Sequence, residues 1–119
     1  MQNYLIYSAF GWLTLSGILH FAIDVVSQYL RGKRTPSLET TLYYGLNSAF
    51  SLGQVASGLL GLYIAWKAIY FLKATPVLIL CALVGLGWLT ITSLFMEYSE
   101  PKFAVAIFCF LVFTALIVN

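Results

Sequence analysis

Apolar positions run in four long blocks, roughly Tyr4–Leu30, Thr41–Trp66, Thr75–Met96 and Phe103–Val118. Each is near the ~20 residues that carry a helix across a bilayer core of about 30 Å. Polar positions collect between the blocks, in "RGKRTPSLETT", around "KAIYFLKATP" and in "EYSEPK". Barrel strands would instead alternate polar and apolar over about ten residues, and open sheet edges find no hydrogen-bond partners in lipid. The pattern therefore predicts an all-α fold, an integral membrane antiparallel four-helix bundle that forms one transmembrane domain over residues 1–119. The first two blocks exceed a minimal span, so their helices are expected to tilt or protrude. The last is short and carries no charge.

Start and stop signals agree with these blocks. Thr35 or Ser37 would cap the second helix, and Pro76 and Pro101 would open the third and fourth. Tyr63, Trp66 and Tyr70 flank Lys67 and Lys73, the expected arrangement of an aromatic belt with lysines reaching the interface. Met1-Gln2-Asn3 lacks a basic stretch, and the first block runs on to His20 and Asp24 without a small-residue cleavage site, so it reads as a retained span.

Two blocks are interrupted by polar residues at helical spacing. In the first, "GILHFAID" places the chain's one histidine, His20, four residues before Asp24. Ser16 precedes His20 by four, and Ser27 and Gln28 follow it by seven and eight, so the five share one stripe. In the second block Glu39, Tyr43, Asn47 and Ser51 step by four, and Gln54 lies seven beyond Asn47. Counting equal numbers of residues back from the first loop pairs Asp24 with Asn47, His20 with Ser51 and Ser16 with Gln54. The same counting from the third loop brings Thr92 to the level of Asp24 and Trp88 to that of His20, with Glu39, Glu97 and Tyr98 at the rim. A carboxylate in hydrocarbon is costly, about +2.5 to +3.5 kcal/mol for Asp at a helix centre, and so usually faces an interior or a water-filled cavity. The expectation is a polar cavity between helices 1, 2 and 3 that opens toward the first and third loops. The half near the second loop offers only Thr14, Ser57 and Thr75 as polar steps, so the cavity reads as one-ended.

Helix 2 also carries Gly45, Ala49, Gly53, Ser57 and Gly61 at every fourth position. Small residues at that spacing let a neighbouring backbone approach, within the bundle or across a homodimer.

Charge adds orientation. Arg31, Lys33, Arg34 and Lys102 fall on one side of the bundle, while Lys67 and Lys73 fall on the other. The excess places loops 1 and 3 in the cytoplasm. A net charge of +2 gives no argument for a nucleic-acid partner. With 61% hydrophobic and 8% charged residues, membrane lipids are the expected surroundings. Cys81 and Cys109 fall at different depths, which argues against a disulfide between them.

The chemistry allowed by these residues is narrow. One histidine and one aspartate cannot complete a transition-metal shell, and haem with a single axial His20 has no second supporting feature. No nucleophile elbow or phosphate-cradling loop is present, and no cofactor is expected. A His–Asp pair bonded to an Asn and a Gln would suffice to fix helix register. The stripe, however, continues for several turns into an acidic rim, further than register requires. The residues point to an intramembrane pocket for a hydrophobic or amphiphilic ligand. His20 and Asp24 would be a proton-shuttling pair, and Ser16, Tyr43, Asn47, Ser51, Gln54, Trp88, Thr92 and Glu97 ligand contacts. A proton-coupled transporter acting as an oligomer is the alternative. A third reading is an accessory subunit of a larger complex, with the uncharged, aromatic helix 4 as its outward face.

His20-Phe21-Ala22-Ile23-Asp24, the span that opens with "KATPVLIL" and closes with "TSLFMEY", and the four-span outline together resemble the EXPERA group of small membrane proteins. That group includes the emopamil-binding sterol isomerases and the sigma-2 receptor. The resemblance implies a bundle enclosing an apolar pocket with a few intramembrane acids, and a lipid- or sterol-like ligand. The sterol isomerases carry His followed four residues later by Glu, where this chain has Asp24, and Asn47 stands near where a second acid would be wanted. By the same resemblance, His20 and Asp24 would shuttle the proton of an isomerisation, with Trp88 facing a developing carbocation.

Overall fold

The computed structural model describes residues Met1–Asn119 and is all-helical. Helix α1 occupies Gln2–Leu30, α2 Leu38–Lys73, α3 Thr75–Phe95 and α4 Glu100–Ile117. All four are long and apolar enough to cross a membrane, as a multi-pass membrane protein requires. Their outward side chains match such surroundings: Leu80, Leu83, Leu94, Phe103 and Phe110 are exposed, and 26 of 119 residues are buried.

The boundaries follow from local chemistry. Ser37 accepts from the Thr40 backbone N–H at 3.2 Å and so caps α2, three residues ahead of the expected start of that helix. At its other end α2 continues well past Trp66. Its backbone leaves helical geometry at Ala68, with φ −156° and ψ 58°, and resumes to Lys73. The expected second loop is thus mostly helix, and only Ala74 separates α2 from α3. Pro76 lies in the first turn of α3 and Pro101 in that of α4, where the missing N–H removes a donor that has no partner in any helix.

Helix α1 is central. It packs along α2 on one side and α4 on the other, while α3 lies mainly against α4 and touches α2 only sparsely. Helix α4 is an inner element along one face, with Val105, Phe108, Cys109, Val112 and Ala115 all buried, while Phe103, Phe110 and Ile117 on its other face are exposed. The peripheral helix is α3. The core between α1, α3 and α4 is apolar, built from Ile6, Ala9, Phe10, Leu78, Ala82, Phe108 and Val112.

The α1–α2 contact depends on Gly17, Gly58 and Gly61, and of these only Gly61 belongs to the expected stripe of α2. A Cβ on Gly17 would meet Gln54 Cβ at 2.9 Å, one on Gly58 would meet the Thr14 backbone nitrogen at 2.7 Å, and one on Gly61 would strike the Phe10 ring. Gly45 and Gly53 have nothing within 4 Å. The reason is phase: four residues advance an α-helix by about 400°, so a stripe of every fourth position drifts by about 40° per step and winds off the contact face. The buried face of α2 runs instead through Ser51, Gln54, Gly58, Gly61 and Ala65, at alternating steps of three and four.

Candidate functional site

The same drift would carry Ser16, His20, Asp24 and Gln28 apart around an α-helix, yet all four line one cavity. The chain achieves this with a π-helical stretch at Phe21–Ser27, in which each turn takes one residue more. The wider turn cancels the drift and holds Asp24, Ser27 and Gln28 on the side already set by Ser16 and His20. Such interruptions of α-helices recur at functional sites.

The cavity has a volume of about 680 Å³, within the range of ligand-binding clefts. Its walls are α1, α2 and the start of α4. This corrects the expected third wall, α3: Trp88 packs edge-on against Phe108 with ring centroids 6.0 Å apart, in the apolar core and away from His20. Thr92 is fully buried and donates to the Leu89 carbonyl of its own helix at 3.0 Å. Neither lines the cavity. The ring beside His20 is Phe50, at 5.2 Å between centroids. Trp12 forms part of the lining and donates from Nε1 to the Ala104 carbonyl at 2.8 Å, tying α1 to α4. Nothing in the sequence singled out Trp12 or Phe50, since an aromatic in an apolar run gives no polar signal.

His20 sits at the centre of a hydrogen-bond chain. Its Nδ1 lies 2.8 Å from Asp24 Oδ2, and its Nε2 lies 2.9 Å from Asn47 Oδ1. The counted register had placed Ser51 opposite His20, so the pairing is displaced by one turn where the π stretch begins. Asn47 in turn donates from Nδ2 to the Tyr43 carbonyl at 2.9 Å. A carbonyl only accepts, so this contact fixes the orientation of the amide and presents Oδ1 to the imidazole. Nε2 of His20 must therefore carry a hydrogen. The Nδ1–Oδ2 contact then needs one proton of its own, either on the imidazole beside a carboxylate or on the carboxyl beside a neutral ring. In both forms the pair holds one transferable proton and presents no net charge.

Other polar groups divide between two spaces. Ser16 and Gln54 line the large cavity near the α1–α2 crossing, and Arg31, Lys33, Tyr98 and Glu100 line it at the loop end. Gln54 is 1% exposed and its Nε2 has no partner. Ser51 Oγ is buried and likewise unpartnered, outside the cavity lining. On the other side of His20 a smaller space of about 160 Å³ is lined by Arg34, Tyr43, Asn47, Met96, Glu97 and Tyr98. There the Arg34 guanidinium stands 3.4 Å over the Tyr43 ring, and its Nε donates to Gln28 Oε1 at 3.2 Å. Gln28 Nε2 donates to the Tyr43 hydroxyl at 3.2 Å, closing a network between the first loop, α1 and α2. The structure thus brings His20, Asp24, Ser16 and Gln54 into one cavity and Tyr43, Asn47 and Glu97 into its neighbour, with His20 lining both.

No group of three or more His, Cys, Asp or Glu side chains is placed to hold a metal ion. No family model matches the chain, and comparison with curated proteins and with solved structures returns no relative.

Proposed function

We propose that the chain is an integral membrane antiparallel bundle whose α1–α2–α4 cavity binds a hydrophobic or amphiphilic, lipid-like molecule. The observation that carries the reading is the juxtaposition of apolar walls, Trp12, Ile23, Phe50 and Ile107, with the hydrogen-bonded His20–Asp24 pair in one space of about 680 Å³. Structural register alone would not call for a cavity beside the pair. A conduit would need polar groups on toward the second loop, whereas that half is filled by Ile6, Ala9, Phe10 and Phe108. Loops 1 and 3 lie in the cytoplasm on the positive-inside count. The EXPERA resemblance supports the same ligand class. An isomerase step there would use the proton held between His20 and Asp24, without the Trp88 contribution, because Trp88 lies against Phe108.

The test is native mass spectrometry with lipid extraction on wild type and on His20→Ala/Asp24→Asn. A co-purifying lipid that is lost in the double variant supports the reading. A protein that carries nothing in either form, with equal stability, rejects it.

A further inference from the structure

Resting on that reading, the rim of the cavity narrows the head group of the ligand. Helix α1 ends in a closed turn: the Gly32 and Lys33 backbone N–H groups donate to the Tyr29 and Gln28 carbonyls, each at 3.2 Å, and Gly32 takes the left-handed conformation that such a turn needs, with φ 60°. The cations on either side of that glycine, Arg31 and Lys33, both line the cavity. Arg34 goes elsewhere: it stacks over Tyr43, bonds to Gln28 and lines the smaller space. The first loop thus divides its charges. Arg34 is engaged within the chain, whereas Arg31 and Lys33 are exposed and pair with no carboxylate, the one ion pair of the chain being His20–Asp24.

The balance of charge at the cavity is positive. His20–Asp24 carries no net charge in either of its proton placements, which leaves Glu100 as the single carboxylate against Arg31 and Lys33. That excess favours an anion at the rim and disfavours a cation. The walls below the rim ask for more than a free anion. Leu19 and Ile23 of α1 and Phe103 and Ile107 of α4 line the cavity and are also exposed on the outer surface, at 48%, 60%, 69% and 41%. Apolar side chains on both edges of an opening between two spanning helices face lipid rather than water. Along α1 the lining extends from Arg31 to Ser16, about 22 Å at the rise of an α-helix. One leaflet of the hydrocarbon core is about 15 Å thick, so a lipid chain whose head sits at the rim finds apolar wall along its whole length.

We propose that the cavity takes an anionic amphiphile from the bilayer, its carboxylate or phosphate head held by Arg31 and Lys33 and one chain lying between α1 and α4. The test is native mass spectrometry of the full-length protein released from phosphatidylcholine nanodiscs. One arm offers oleate, oleyl alcohol and oleylamine, and the other phosphatidylglycerol against phosphatidylcholine with the same chains. The anion is expected to bind about tenfold more tightly in at least one arm, as two exposed charge-assisted contacts supply. Preference for oleate alone assigns the site to a free fatty acid, and preference for phosphatidylglycerol alone to a bilayer phospholipid. Arg31→Gln and Lys33→Gln should each reduce the preference to about threefold and together abolish it while chain binding persists. Lys102→Gln removes the same charge at the same end but from outside the cavity lining, and should leave the preference intact. Raising the salt should weaken it in the wild type, a check that needs no variant. Equal binding of all heads, tighter binding of the amine or the alcohol, a preference that survives the double variant or added salt, or one lost equally in Lys102→Gln overturns the anionic assignment and leaves the lipid pocket standing. Binding of no probe in either arm overturns both.

Discussion

Asn47 accepts from His20 across 2.9 Å while its own amide donates to the Tyr43 carbonyl, so a residue of α2 dictates which nitrogen of the α1 histidine carries hydrogen. His20 is the chain's one histidine, so a ring-¹⁵N-labelled sample reports this site alone. The spectrum should show a protonated Nε2 whether or not Nδ1 is protonated. Replacing Asn47 with Leu should release that constraint and let the Nδ1–H form, facing the Asp24 carboxylate, appear. A wild-type spectrum with Nε2 bare would contradict the hydrogen-bond chain. Asp24→Asn offers a complementary state, in which the new amide donates to Nδ1 and His20 is held as the neutral Nε2–H tautomer.

The α1–α2 seam makes a prediction in which two glycines of one helix behave oppositely. A methyl at Gly58 would collide with Thr14, whose backbone nitrogen lies 2.7 Å from the added carbon, and with the Phe10 carbonyl at 2.9 Å. Backbone cannot swing aside, so Gly58→Ala should separate the helices and cost about 1–3 kcal/mol. Gly53→Ala meets nothing within 4 Å and should be neutral or stabilising by up to about 1 kcal/mol. Reversible unfolding of both variants in detergent measures the difference. Equal losses at the two positions would mean that the packing face of α2 is not the one seen here.

The number and approximate position of the helices were legible because runs of apolar residues of spanning length have few other physical solutions. His20 and Asp24 were legible as a pair because four residues bring side chains together on any helix. What could not be read was phase. "FAIDVVS" contains no proline or glycine to announce a π stretch, and the extra residue per turn decides which side chains share the cavity. The every-fourth-residue stripe of α2 drifts for the same reason, and of its three glycines only Gly61 meets α1 closely. Helix order around the bundle was equally hidden: α3 and α4 are both uniformly apolar, and nothing in either pattern tells which one lies against α1. That is why Trp88 and Thr92 were expected beside His20, where the chain instead places Phe50 and the first turn of α4.

Trp12 joins α1 to α4 at the cavity wall, and its indole N–H is satisfied only by the Ala104 carbonyl at 2.8 Å. Trp12→Phe keeps most of the apolar volume and removes the bond. The expected loss is about 1 kcal/mol of stability, with the Ala104 carbonyl retaining its helical partner. If lipid occupies the cavity, its retention should also weaken in this variant, because the wall between α1 and α4 is no longer tied. Unfolding in detergent reads the first effect and lipid retention in native mass spectrometry the second. A variant with unchanged stability would show that the indole bond contributes nothing to the α1–α4 contact.

The proposed sidedness rests on charges at opposite ends of the bundle. Arg31, Lys33 and Arg34 belong to the first loop and Lys102 to the start of α4, whereas Lys67 and Lys73 flank the α2–α3 junction. Lys67 stands 3.7 Å over the Trp66 ring, where part of its charge is met by an aromatic face. In a Cys81→Ser/Cys109→Ala background, single cysteines at exposed Lys33 and exposed Ala74 can be probed in intact cells with a membrane-impermeant thiol reagent. With loops 1 and 3 in the cytoplasm, Ala74→Cys should be labelled and Lys33→Cys protected until the membrane is opened. The reverse pattern would turn the bundle over and place the cavity mouth, with Arg31, Lys33 and Glu100, on the outer face. Labelling of both sites in intact cells would place the two ends on the same side of the membrane, which four helices each crossing once do not allow.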